Sequence, residues 1–173
     1  NTYRLYKRGW TGINIDLDFN SIDLFNFFRK NDFNINTAIS DKNEETDLYF
    51  FHNRSAINTL SKESGVKAKE IRKIKTHTLN DIIENSPFKD KKINYLSIDV
   101  EGHEISVLNG FDLNKYKPEL VIIEFIDTKI KEFYLNQIDN IISSDIYNFM
   151  TKHDYKLINW VHDDLVFVPN NIK

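Results

Sequence analysis

Short apolar runs that stop abruptly at an acidic residue recur along this chain. Gly12 to Ile15 lead into Asp16, Ala38 and Ile39 into Asp41, Ile93 to Ile98 into Asp99, and Leu120 to Ile123 into Glu124. Runs this short and rich in β-branched residues predict strands, and Ile93, Tyr95, Leu96 and Ile98 suit one buried on both faces. An unpaired carboxylate is costly to bury, so each acid marks a strand end. Helical spacings fill the intervals. SIDLFNFFRKN, capped by Ser21, places Ile22, Phe25 and Phe28 towards a sheet. TLNDIIEN has Thr78 and Asp81 as a capped first turn before Leu79, Ile82 and Ile83, and HEISVLNG closes on Gly110. Strands alternating with helices predict an α/β fold with a mostly parallel sheet covered on both faces. Aligned strands would bring Asp16, Asp41, Asp99 and Glu124 to one rim, where open α/β sheets bind ligands.

The remaining pattern completes this reading. Tyr3, Leu5 and Tyr6 followed by Gly9 predict a short helix with a glycine end. INTAIS reads as a second strand, DLYFF as an edge strand and IRKIKTHT as a less regular strand. LNQIDNIISSDIYNFMTKHDY predicts one long helix with Leu135, Ile138, Ile141, Ile142 and Phe149 buried. YKLINWV and DLVFV, separated by His162 and Asp163, predict an antiparallel hairpin with His162 in its turn. Trp10 and Trp160 read as core or hairpin packing.

At 173 residues, 40% of them hydrophobic and 13 of them Phe, the chain suits a single domain with a substantial core. With no cysteine it has no disulfide, thiolate metal site or cysteine nucleophile, and it suits a reducing, cytoplasmic setting. The net charge is -3 with both signs interleaved, so no basic stripe offers itself to nucleic acid. No apolar run approaches the roughly 20 residues that span a bilayer. KEIRKIK and KDKK, flanked by acids, read as solvated faces.

The densest chemistry lies in IDVEGHE, where Asp99, Glu101, His103 and Glu104 surround Gly102. Asp99 ends the strand directly, and with Glu124 it could hold a divalent cation. His103 brings an imidazole suited to proton transfer, and also suits the surface of a first helical turn. Glu104 fits the start of a helix, where a carboxylate meets the positive end of the dipole. In the loop HNRSAINTL, Asn58 and Thr59 could reach over a ligand, but Ser, Asn and Thr form ordinary turns for local reasons.

LYKRGWTGINIDLD, IKTHTLNDIIE, YLSIDVEGHEISVLNGFD and KPELVIIE resemble, in order, successive blocks of the FkbM-type family of S-adenosylmethionine-dependent methyltransferases. The resemblance implies a Rossmann-like methyltransferase fold over residues 1–173 with a C-terminal antiparallel hairpin. It also implies that the chain is N-terminally truncated, because the family's first strand and glycine-rich loop, resembling DVGAN, precede the helix that here begins near Asn1. Asp16 then matches the acid that binds the cofactor ribose, and Leu17, Ala38, Ile39 and Ser40 match the walls of an adenine site. Asp99, Glu101 and His103 match the catalytic centre, where carboxylates suit a sulfonium cation. The implied reaction is O-methylation of a small-molecule acceptor such as a sugar or glycan, without nucleic acid or membrane as partner. The rival readings are a noncatalytic remnant of the same fold and a nicotinamide-dependent oxidoreductase, since an acid after the second strand also suits a dinucleotide ribose.

Overall fold

The structure, a computed structural model, describes residues 2–52, 58–62, 64–125 and 138–172. Helix α1 (Tyr3–Tyr6) is followed by Gly9 at φ +86°, a left-handed turn open to glycine, and the chain enters β1 (Ile13–Asp16). Asp18, rather than Ser21, caps α2 (Phe19–Phe28) by accepting from the Asn20 N–H. Strands β2 (Phe33–Asn36) and β3 (Ala38–Ile39) follow, so INTAIS divides at Thr37 between two partners: β2 pairs with β1, and β3 with β5. Strand β4 (Glu45–Phe50) is an edge strand antiparallel to β5 (Glu70–His77), with a 3-10 turn over Ser64–Lys67 between them.

Thr78 caps α3 (Leu79–Glu84) by accepting from the Asp81 N–H at 3.1 Å, and Leu79, Ile82 and Ile83 are buried as their spacing requires. Strand β6 (Tyr95–Ile98), α4 (Glu104–Asn109), α5 (Leu113–Tyr116) and β7 (Leu120–Glu124) follow. Ser97 is exposed, so β6 is covered less completely than a strand buried on both faces. The last elements are α6 (Ile138–Ile142), α7 (Asp145–Lys152) and the hairpin of β8 (Tyr155–Val161) and β9 (Asp164–Pro169), with His162 at φ +56° in its turn. Strand β9 lies between β7 and β8, and its Leu165 and Phe167 are fully buried.

Several expectations are corrected. Among the described residues the strands form three hydrogen-bonded groups, β1-β2, β3-β5-β4 and β6-β7-β9-β8, with parallel pairs at β1–β2, β3–β5 and β6–β7 and antiparallel pairs at β4–β5, β7–β9 and β8–β9. The sheet is therefore mixed; β4 doubles back on β5, and the terminal hairpin adds two more antiparallel pairs. Phe28 is 59% exposed, because it lies about 120° around α2 from the buried Ile22 and the two-stranded ribbon beneath covers one narrow stripe. The long helix breaks at Ser143–Ser144, where the Ser144 hydroxyl donates to the Ile141 carbonyl and accepts from the Tyr147 N–H, ending α6 and capping α7. Ile141, Ile146 and Met150 form the buried stripe, Ile138 and Ile142 are exposed, and Leu135 lies outside the described residues. Trp10 is 45% exposed, whereas Trp160 packs partly buried against the core.

One core joins α3, α4, α7, β6, β7 and β9 through Ile98, Leu108, Val121, Ile123, Met150 and Phe167. Beside α2, a buried ion pair of Arg29 and Asp32 at 2.7 Å anchors the start of β1, as Asp32 also accepts from the Gly12 N–H and the Asn14 amide. No helix among the described residues is long and apolar enough to cross a membrane.

Candidate functional site

The chain leaves β6 at Ile98 and makes a tight loop before α4. Glu101 adopts φ +57° and Gly102 φ +89°, so two consecutive residues take left-handed backbone. Glu104, 4% exposed, turns its carboxylate back into the loop and accepts from the Val100 and Gly102 N–H groups at 3.1 and 3.0 Å. It begins α4 as its position suggests, and it also fixes the loop before that helix. Burial raises its pKa, opposed by the backbone amides it binds.

This loop and the end of β7 bring three acids together. Asp99, Glu101 and Glu124 each place one carboxylate oxygen within 4.8 Å of the others. Parallel pairing sets Ile98 beside Ile123, so the acids that follow these residues emerge side by side. The Glu124 Oε2 is buried without a hydrogen-bond partner. Burial first, then the charges of Asp99, Glu101 and Glu104, push the Glu124 pKa up to about 8. Glu101 is raised too, by burial and then by Asp99 and Glu104. A set of hard oxygen donors with one orphaned oxygen fits a divalent cation, and equally suits the positive centre of an organic ligand.

Asp16, at the end of β1, accepts from the Asp18 N–H at 2.7 Å. Its pKa is raised, mainly by burial, with a smaller contribution from Asp99 that places both acids within one electrostatic field. Leu17 is half-buried, and its carbonyl accepts from the Asn36 amide at 2.9 Å. Ala38 and Ile39 are buried, Ile39 in the main core.

Ser40, also buried, closes a second polar chain: its hydroxyl lies 3.0 Å from His103 Nε2 and 3.1 Å from Asp41 Oδ1. Burial lowers the His103 pKa, with Asp41 pulling the other way, so the ring tends to the neutral form that can accept a proton. The Ser40 hydroxyl has one hydrogen. Donated to Asp41, it leaves Oγ to accept from Nε2–H, and the neutral ring keeps its basic lone pair at Nδ1. Gly110 makes this approach possible, since a Cβ there would meet the Ser40 carbonyl oxygen at 2.4 Å.

Asp99, Glu101 and Glu124 thus meet at the ends of β6 and β7, with Asp16 close enough to feel the charge of Asp99, while His103 at the end of the same loop meets Ser40 and Asp41. Two contacts escape sequence reasoning, although it names both residues, Thr59 as able to reach over a ligand and Glu104 as a helix start. The 2% exposed Thr59 donates its hydroxyl to the Glu101 carbonyl at 2.6 Å, across 42 positions of sequence that no local pattern connects. The fold of Glu104 into the loop is likewise a tertiary outcome, although its place three residues after Glu101 was visible. An apolar cavity of about 220 Å³, lined by Thr2, Tyr3, Leu24, Phe25, Phe28 and Arg29, shares no residue with the acidic rim.

The chain is a mixed α/β protein with acidic residues gathered where β6 and β7 end, the place where open α/β sheets hold their ligands. The family follows from the sequence that builds it: residues 1–157 match the model of the methyltransferase FkbM domain, and the chain belongs to that family. No curated protein and no solved structure matches the chain.

Proposed function

We propose that this domain is an S-adenosylmethionine-dependent methyltransferase of Rossmann-like architecture that methylates a hydroxyl group of a sugar or other small hydroxylated molecule. Family membership supports methyl transfer as the reaction class. The observation that supports its placement is the convergence of Asp99, Glu101 and Glu124 at the ends of β6 and β7, with Asp16 on the same rim. S-adenosylmethionine, when bound, supplies a methyl group on a sulfonium cation. Asp16 accepts hydrogen bonds from the ribose hydroxyls, and Leu17, Ala38, Ile39 and Ser40 border the adenine. The acidic cluster favours the positive centre. Asp99 orients the acceptor hydroxyl for in-line attack.

The acceptor oxygen would form its bond to the methyl carbon as the carbon–sulfur bond of the sulfonium breaks, leaving neutral S-adenosylhomocysteine, and the acceptor's proton would pass to a nearby base. His103 at Nδ1 serves as that base in this reading, with Ser40 and Asp41 fixing the ring. Where a divalent cation is present, Asp99, Glu101 and Glu124 hold it. The acceptor is a small molecule rather than nucleic acid or membrane, and the setting is cytoplasmic, in keeping with the absence of cysteine.

The division of roles is tested by calorimetry and steady-state kinetics on two variants. Asp16→Ala is expected to weaken S-adenosylhomocysteine binding by roughly tenfold or more, the loss of charged hydrogen bonds worth about 1.5–3 kcal/mol each. Asp99→Ala is expected to retain that affinity within a few-fold and to lose turnover with any acceptor that serves the wild type. Equal loss of cofactor affinity in both variants contradicts the assignment.

A further inference from the structure

Thr59 stands out among the residues around the site because its whole hydrogen-bonding capacity is spoken for while its side chain is buried. Its backbone C=O accepts from the Tyr49 N–H at 2.8 Å, and its own N–H donates to the Tyr49 carbonyl at 3.2 Å, fixing it beside β4. Its hydroxyl oxygen accepts from the Ser61 N–H at 2.9 Å. The single hydroxyl hydrogen goes to the Glu101 carbonyl at 2.6 Å, in a place where only 2% of the residue is exposed.

The recipient is the strained residue of the loop. Glu101 holds φ +57°, a left-handed conformation that is unfavourable for a residue with a Cβ. Such strain persists where surrounding contacts over-determine it. Glu104 binds the amides on either side of Glu101, from Val100 and Gly102, and Thr59 binds the carbonyl between them. A return of Glu101 to negative φ would swing that carbonyl off Thr59 and redirect the carboxylate that meets Asp99 and Glu124.

We propose that Thr59 is a positioning residue whose hydroxyl holds the Glu101 backbone in its left-handed turn and thereby sets the Glu101 carboxylate against Asp99 and Glu124. The β4–β5 side of the molecule is in this way tied to the acidic rim. The consequence for ligand binding rests on the methyl-transfer reading: a displaced Glu101 costs preference for the cationic S-adenosylmethionine over the neutral S-adenosylhomocysteine, and leaves the ribose contact of Asp16 in place.

Crystal structures of the wild type, Thr59→Val and Thr59→Ser, with both ligands titrated into each and into Glu101→Gln, test this. In Thr59→Val, Glu101 is expected to leave positive φ and its carboxylate to separate from Asp99 and Glu124, while Thr59→Ser keeps the wild-type arrangement. The preference for S-adenosylmethionine is expected to fall several-fold in Thr59→Val and in Glu101→Gln alike, and to stay at the wild-type level in Thr59→Ser. Should Thr59→Val not fold, Thr59→Ala removes the same hydroxyl and gives the same readouts. A Glu101 that keeps its left-handed turn and its acid partners without the hydroxyl overturns the proposal. So does displacement in Thr59→Ser, which would assign the effect to packing of the methyl group. Displacement of Glu101 in Thr59→Val in a protein that binds neither ligand would leave the positioning role standing and remove the methyl-transfer reading instead.

Discussion

Burial and three neighbouring carboxylates raise the Glu124 pKa to about 8, and this has a definite consequence for stability. A carboxyl whose folded pKa lies above its unfolded value binds its proton more tightly in the folded state. Stability is then greatest below the ordinary carboxylate value of 4.5 and declines as pH rises towards about 8. Glu124→Gln removes that ionisation. In chelator-containing buffer, its melting temperature relative to wild type is expected to climb across this range and to level off above it. An offset that stays constant with pH contradicts the assignment.

Glu104 behaves differently, because its buried carboxylate satisfies two backbone amides. Glu104→Ala is expected to destabilise the protein by about 2–4 kcal/mol in denaturant melts, since two loop N–H groups lose their acceptor. A loss below about 0.5 kcal/mol, the size of an ordinary surface change, would show that water replaces it. Asp99, Glu101 and Glu124 were legible as candidate chemistry because ionisable residues at the end of an apolar run are conspicuous. Thr59 was legible only as a loop residue able to reach over a ligand or to form an ordinary turn; its contact with Glu101 was not, since its hydroxyl finds that carbonyl only after the chain has folded.

At the scale of elements, capping residues carried the clearest signal where one reading of them was available. Thr78 and Asp81 mark the start of α3, and the structure closes that cap. In α2 the expected cap was Ser21, but Asp18 takes that place, and the Ser21 hydroxyl donates to Asp18 instead. Paired serines at 143 and 144 were absorbed into a helical periodicity that continues on both sides. A serine side chain that accepts from an N–H three residues on can end one helix and start another without disturbing that periodicity. Gly110 shows the opposite case, a glycine read as a helix end that also permits close packing. Gly110→Ala forces a Cβ to within 2.4 Å of the Ser40 carbonyl oxygen, with φ at an ordinary -86°. The expected loss is about 1–3 kcal/mol of stability, from overpacking against rigid backbone. An unchanged denaturation midpoint would mean that β3 and α4 slide apart freely.

For the whole molecule, alternation of strands and helices indicated an α/β fold, but local patterns carry no information on which strands pair. The split of the sheet into three groups, the antiparallel return of β4 and the insertion of β9 between β7 and β8 depend on contacts far apart in sequence. The terminal hairpin was legible because its two runs are separated by only two residues. Its docking sets Glu124 opposite Asp164 in the β7–β9 register, directly after the fully buried pair of Ile123 and Leu165.

The proposed function requires the acidic rim to hold an adenosyl cofactor, and binding tests this most directly. Isothermal titration of S-adenosylhomocysteine and S-adenosylmethionine into the folded protein is expected to give saturable, one-site binding of both, weakened by Asp16→Ala. Failure of the folded wild-type protein to bind either ligand would contradict the proposed function.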